Sequence, residues 1–153
     1  MQNRVNQKGF SLIELLVVVI LISIIVAIAI PSLLRSRRSA NEASAVANLR
    51  TVHSAQLTYL ASNGNNAFAD FAALVANGLI DLNWGLAINR NTYAFVLDRD
   101  ASNTKYCVSA ISTDSGAKDF GVGSEGVIYE AAHGNLNCLT GDLGGTITVF
   151  GSN

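Results

Sequence analysis

Two histidines, two cysteines and eleven acidic side chains are the groups in this 153-residue chain that could do chemistry. Their spacing argues against catalysis. No Ser-His-Asp order and no pair of facing carboxylates can be placed from it. His53 falls on the apolar stripe of a helical pattern, where a core or interface histidine is expected, and His133 stands beside Gly134 in a loop-like stretch. Asp142 sits in the Gly-rich run 140–145, but one carboxylate is far short of the oxygens that calcium takes, so no calcium site is expected. Two Cys and two His at these separations do not form a zinc motif. The chain is therefore read as no enzyme, with no catalytic residue, no metal and no cofactor. One acid stands apart from the rest. Glu14 lies in residues 10–30, where the other polar side chains are Ser11 and Ser23. A carboxylate at the centre of an apolar span costs about 3 kcal/mol on insertion scales, and less near the interface. Its presence there calls for a partner.

The elements that must position these groups follow from composition. Hydrophobic residues make up 50% of the chain and charged residues 14%, against ~25% charged in a soluble domain. The net charge is −1, so no basic field points to nucleic acid. The apolar fraction excludes disorder, and the length allows about one domain. Residues 15–30 are unbroken apolar except for Ser23, enough to cross a bilayer as a helix. Pro31 follows, then Arg35, Arg37 and Arg38. Beyond them Val46, Leu49, Val52 or His53, Leu57 and Leu60 recur at helical steps, an amphipathic stripe. The pattern predicts one long helix over residues 10–61, kinked where Pro31 removes a backbone donor. Its length would be roughly 78 Å at ~1.5 Å per residue. The breakers Ser62-Asn63-Gly64-Asn65-Asn66 end it.

After the breakers, residues 68–80 read as a turn or two of helix closed by Asn77-Gly78, and then the period changes to two. Strands are predicted over 92–97, 106–111, 120–122, 127–129 and 146–150, with a hairpin turn at Gly123-Ser124-Glu125-Gly126. The fold class is α+β: a long N-terminal α-helix, its hydrophobic half protruding, packed on a small antiparallel β-sheet. After Phe10 the next aromatic residue is Tyr59, so the helix lacks the ring spacing that conduction along stacked aromatics needs.

Three readings fit residues 1–31. A cleaved secretory signal would use Ala27-Ile28-Ala29, but it leaves Glu14 unexplained and Ile30-Pro31 at the new terminus. A plain membrane anchor for an extracytoplasmic binding domain would treat Glu14 as a tolerated interfacial residue. The third reading rests on Lys8-Gly9-Phe10-Ser11-Leu12-Ile13-Glu14, which resembles the cleavage and methylation site of type IV prepilins and pseudopilins. The resemblance covers this motif and the helix to about Ala61, and more loosely the domain that follows. It implies a pilin-like fold and three segments: a leader at 1–9, a transmembrane and filament-core helix at 10–31, and a globular domain at 32–153. It implies a membrane peptidase that cuts after Gly9 and N-methylates Phe10, with Arg4 and Lys8 holding the leader on the cytoplasmic side.

The same resemblance implies that Glu14 meets the terminal amine of a neighbouring subunit and so fixes register. Pro31 marks a helix kink; Ser23 stands where many relatives carry a helix-weakening Gly. The implied partners are other copies of the chain, the peptidase-methylase, the inner-membrane assembly platform with its ATPases, and the membrane before assembly. The implied location is the inner membrane, as a single pass, and afterwards an extracellular filament. A pseudopilin of a type II secretion system is the alternative. In an extracytoplasmic domain Cys107, in a predicted strand, and Cys138, in the loop before the last strand, are expected to pair. The pair would close a 32-residue loop worth ~2–4 kcal/mol; reduced, the two would be small buried hydrophobes. Arg35, Arg37, Arg38 and Arg50 face a net −5 over residues 54–153. That asymmetry fits either steering between subunits or a solvated charge run.

Overall fold

Backbone hydrogen bonding along the apolar run and the amphipathic stripe closes into one helix, α1, Leu12–Asn63. The computed structural model describes residues 9–63, 66–81, 84 and 89–151. Two compact units divide the chain at Arg37/Arg38. In the first, every large apolar side chain from Leu12 to Leu34 is exposed, between 42% and 83%. Pro31 lies inside the helix, where it has no N–H to give. Ser23 turns its hydroxyl onto the Val19 carbonyl at 2.7 Å, so the one hydroxyl in the middle of the run is satisfied within the helix itself.

The second unit is built on the C-terminal part of α1. Ala45, Val46, Leu49, Val52 and Ala55 are buried there, at steps that keep one face of the helix on the core. The stripe differs from the expected one at its end. Leu57 is 47% exposed, and Gln56 is fully buried in its place. The reason is a two-way clamp: Gln56 Nε2 donates to the Ala69 carbonyl at 2.6 Å, and Ala69 N–H donates to Gln56 Oε1 at 2.9 Å. A buried amide is stable when both its ends are bonded. The short helix α2, Phe71–Ala76, is capped by Asp70, which accepts from Ala73 N–H at 2.8 Å, and ends at Asn77 before Gly78. The predicted turn or two of helix over 68–80 is this element.

Eight strands follow among the described residues: β1 Asn89–Arg90, β2 Tyr93–Arg99, β3 Tyr106–Ser112, β4 Lys118–Gly123, β5 Ile128–Ala132, β6 Leu136–Leu139, β7 Asp142–Gly145 and β8 Thr148–Val149. Six form an antiparallel sheet in the order β1-β2-β3-β4-β5-β8; β6 and β7 form a separate pair. Alternation along β2 to β4 sends Tyr93, Phe95, Tyr106, Val108, Phe120 and Val122 into the core with α1. The opposite face of β3 and β4 carries Cys107 and Gly121, and the β6–β7 pair covers it. A Cβ at Gly121 would stand 2.7 Å from Leu143 Cδ2 and 3.3 Å from Leu136 Cδ1, so glycine there lets the second sheet approach.

This second sheet corrects the sequence expectation in two places. Cys138 lies in strand β6, not in a loop, and the last strand is Thr148–Val149 rather than 146–150. Residues 136–145, with Asn, Gly and Asp, carry weak strand propensity. Their pairing comes from the hairpin turn Thr140-Gly141. Both residues have positive φ, 52° and 81°, which is the two-residue turn that matches strand twist. Asp98 Oδ2 accepts the Thr140 N–H at 2.6 Å and holds the turn against β2. A Cβ at Gly141 would fall 2.8 Å from Asp100 N and 2.9 Å from Lys105 O. Gly141→Ala is expected to destabilise the domain by about 1–3 kcal/mol through strain in φ and this backbone clash; urea unfolding of the full chain in detergent measures it.

Candidate functional site

The N-terminal site is assembled by one helix end. Ser11 starts α1: its carbonyl accepts from Glu14 N–H at 3.1 Å and Leu15 N–H at 3.2 Å. Gly9 and Phe10 precede the helix; Phe10 is 79% exposed and a Cβ at Gly9 would meet nothing within 4 Å. The Gly-Phe junction is thus open to another protein. Glu14 stands in the first turn, where the unpaired backbone N–H groups favour an anion. Its side chain is exposed among apolar neighbours. The leader residues Arg4 and Lys8 lie outside the described residues. Pro31 is placed within α1 as expected, and no cis peptide bond occurs among the described residues.

Cys107 and Cys138 form a disulfide with Cα atoms 5.6 Å apart. It joins β3 of the large sheet to β6 of the small one. Cys107 Sγ lies 3.2 Å from the Asp142 carbonyl. The Asp142 carboxylate meets Lys105 Nζ at 3.4 Å, an exposed pair of little energetic weight.

The strongest electrostatic arrangement was not legible in the sequence. Asp119, on β4, is fully buried. Its carboxylate accepts from Ser112 N–H at 2.8 Å and Gly134 N–H at 2.7 Å, and faces His133 Nδ1 at 3.3 Å. A buried carboxyl group needs such hydrogen-bond partners. Asp119 thereby ties the end of β3 to the turn after β5, and His133 is a structural partner of that carboxylate. No alternation rule marks an acid between Lys118 and Phe120 as buried; only the two N–H groups brought from distant residues explain it. Asp100 shapes the turn after β2 in the same way. Hydrogen bonds from the Ser102 hydroxyl, the Lys105 N–H and Thr104 hold its carboxyl well below the usual range. Tyr93 donates to the Lys118 carbonyl at 2.7 Å, and burial, with nearby Glu42, pushes its hydroxyl up to about 12.

His53 is half-buried, as an interface histidine should be. Its Nδ1 meets the hydroxyl of buried Tyr106, and a Cβ at Gly126 would fall 2.6 Å from its Nε2. The ring therefore links α1 to β3 and to the β4–β5 turn. Burial lowers the His53 pKa from 6.5, against an opposing pull from Glu125.

Comparison with known proteins agrees with this geometry. The family model of the prokaryotic N-terminal methylation motif matches residues 4–30. The chain is 42% identical over 74 residues to the type IV wide pilus major component of Thermus thermophilus, covering 48% of this chain and 56% of that protein. It is 35% identical over 67 residues to the type IV major pilin protein of Myxococcus xanthus, covering 44% of this chain and 30% of that protein. The chain thus spans about half the length of the first of these relatives and under a third of the second. No solved structure matches it. The class that fold and motif define is an α+β protein whose long apolar N-terminal helix opens on a methylation motif. Within that class the matched stretches liken the chain to type IV pilins over about half its length.

The linkage sign for His53 follows from its lowered pKa. The folded state binds the proton less well than the unfolded chain, so this contribution to stability is present above about pH 6.5 and is lost as pH falls below it. Unfolding free energy is expected to drop between about pH 7 and pH 5, and His53→Gln is expected to flatten that part of the slope. Urea unfolding across this range measures both.

Proposed function

We propose that the chain is the structural subunit of a type IV pilus, cut after Gly9, methylated on Phe10 and polymerised through residues 10–31. The observation that carries this reading is the unbroken exposure of the apolar side chains from Leu12 to Leu34, behind a matched methylation motif. Residues 15–30 alone present on the order of 1,500 Å² of apolar surface, roughly 35–40 kcal/mol as an upper bound if wetted. The helix therefore exchanges one apolar surrounding for another: lipid before assembly, a bundle of identical helices afterwards. Repeated head-to-tail contact between identical copies gives an open filament.

Cleavage places a new amine on Phe10, close to Glu14 of the same helix in sequence and able to meet Glu14 of a neighbour. In an apolar bundle the pair offsets two charges that are each costly alone. A subunit in the wrong register leaves both unpaired, so the same pair rejects misplacement. Gly9, Phe10, Glu14 and Pro31 are the residues assigned to processing, register and the bend of the helix. Residues 1–9, 10–31 and 32–153 are the leader, the span and filament core, and the globular domain. The disulfide holds the surface-facing domain together outside the cytoplasm. Processing by a membrane peptidase, extraction by a motor-driven platform and residence first in the inner membrane and then outside the cell belong to the same proposal.

The intact mass and N-terminal residue of the protein from the native cell surface test it. A chain beginning at methylated Phe10 is expected. A chain beginning at Ile30, or one retaining Met1, would overturn the processing scheme. Glu14→Leu is expected to leave membrane insertion intact and to cut filament yield by at least tenfold, because the neighbour's buried amine loses its partner, a cost of about 3–5 kcal/mol.

A further inference from the structure

Most cations of the folded domain have an internal partner. Arg38 makes a two-point contact with Asp114, at 3.0 and 3.2 Å. Arg90 meets Asp81, Arg99 meets Asp70, Lys105 meets Asp142 and Lys118 meets Glu130. Arg35 and Arg37 meet no carboxylate among the described residues, and Arg35, at the end of the apolar run, is exposed. We propose that Arg35 and Arg37 bind the phosphate groups of anionic phospholipids at the distal face of the membrane, before the subunit is assembled. This rests on the reading that the N-terminal part of α1 spans the bilayer.

Depth supports it first. The exposed apolar run from Leu12 to Leu34 covers about 34 Å of helix at ~1.5 Å per residue, slightly more than the ~30 Å of a hydrocarbon core. Arg35 and Arg37 come next and lie within about 3 Å of each other along the axis, inside one headgroup layer. Azimuth supports it second. Two residues apart on an α-helix means about 200° of rotation, so the two guanidinium groups leave opposite sides of α1. A protein partner that docks on one helix face reads a stripe at three- and four-residue steps. A lipid annulus surrounds the helix and reads a ring. Arg38, the third cation of the cluster, is already held by Asp114 and is left out of that ring. Guanidinium groups match phosphate oxygens in geometry as well as charge. Arg50 also lacks a carboxylate partner among the described residues, but it lies about 22 Å further along α1, beyond the headgroup layer, and serves as the control.

The test uses the full chain reconstituted in phosphatidylcholine vesicles with a trace of spin-labelled phosphatidylglycerol or spin-labelled phosphatidylcholine. Electron spin resonance reads the fraction of each label slowed beside the helix. Preference for phosphatidylglycerol is expected, falling about fivefold per arginine removed in Arg35→Gln and Arg37→Gln, weakening with salt and unchanged in Arg50→Gln. A wild-type chain with no preference, or a double variant that keeps it, overturns the proposal. So does a double variant that keeps the lipid preference and loses filaments, which would assign the arginines to a neighbouring copy. Infrared dichroism on oriented bilayers of the same composition separates this proposal from the spanning reading. A helix lying flat defeats the spanning reading itself; a helix that crosses without lipid preference defeats this proposal alone.

Discussion

Water is the wrong solvent for the first half of α1, and the rest of the N-terminal region follows from that constraint. The exposed side chains from Leu12 to Leu34 are Leu, Ile, Val and Ala, with Glu14, Ser23, Pro31 and Ser32 as the exceptions. Ser23 bonds back to Val19 within the helix. Pro31 removes one donor and leaves the Ala27 carbonyl without its usual helical N–H. Glu14 sits in the first turn, where the unpaired backbone N–H groups favour an anion. A helix of this kind is kept from water only where another apolar phase, lipid or the apolar faces of like helices, takes it up.

The domain beyond Arg38 solves a different problem. Its core is modest, and its internal polar groups are placed with care. Gln56 and Asp119 are buried, and each is bonded to backbone from another element, while the buried Ser112 hydroxyl accepts from the Asp114 N–H two residues on. Gln56 fastens α1 to the segment before α2. Asp119 fastens β3 to the turn after β5. His53 reaches from α1 to Tyr106. The β6–β7 pair, which has little apolar surface of its own, is held by the disulfide, by Leu136 and Leu143 over Gly121, and by Asp98 on its turn. These contacts join elements far apart in sequence and so tie the helix and the two sheets to one another.

Charge is distributed to match the two halves. The domain pairs most of its Lys and Arg internally and at its surface, with side chains that remain partly wet, so these pairs add little to stability. Their effect is to leave few cations uncommitted. Those that remain among the described residues lie on α1, at and beyond the end of the apolar run.

Composition and period alone determined the long helix, its end near residue 62, the α+β class and the position of most strands of the large sheet. These are local properties: an apolar run, a stripe at steps of three and four, alternation at steps of two. Tertiary structure alone decided that Gln56 rather than Leu57 faces the core, that Asp119 is buried, that residues 136–145 pair as a second sheet and that Cys138 meets Cys107 from a strand. In each case a partner distant in sequence supplies the hydrogen bonds or the covering surface. Local propensity carries no record of such a partner, and so the residue's own neighbours in the chain point elsewhere.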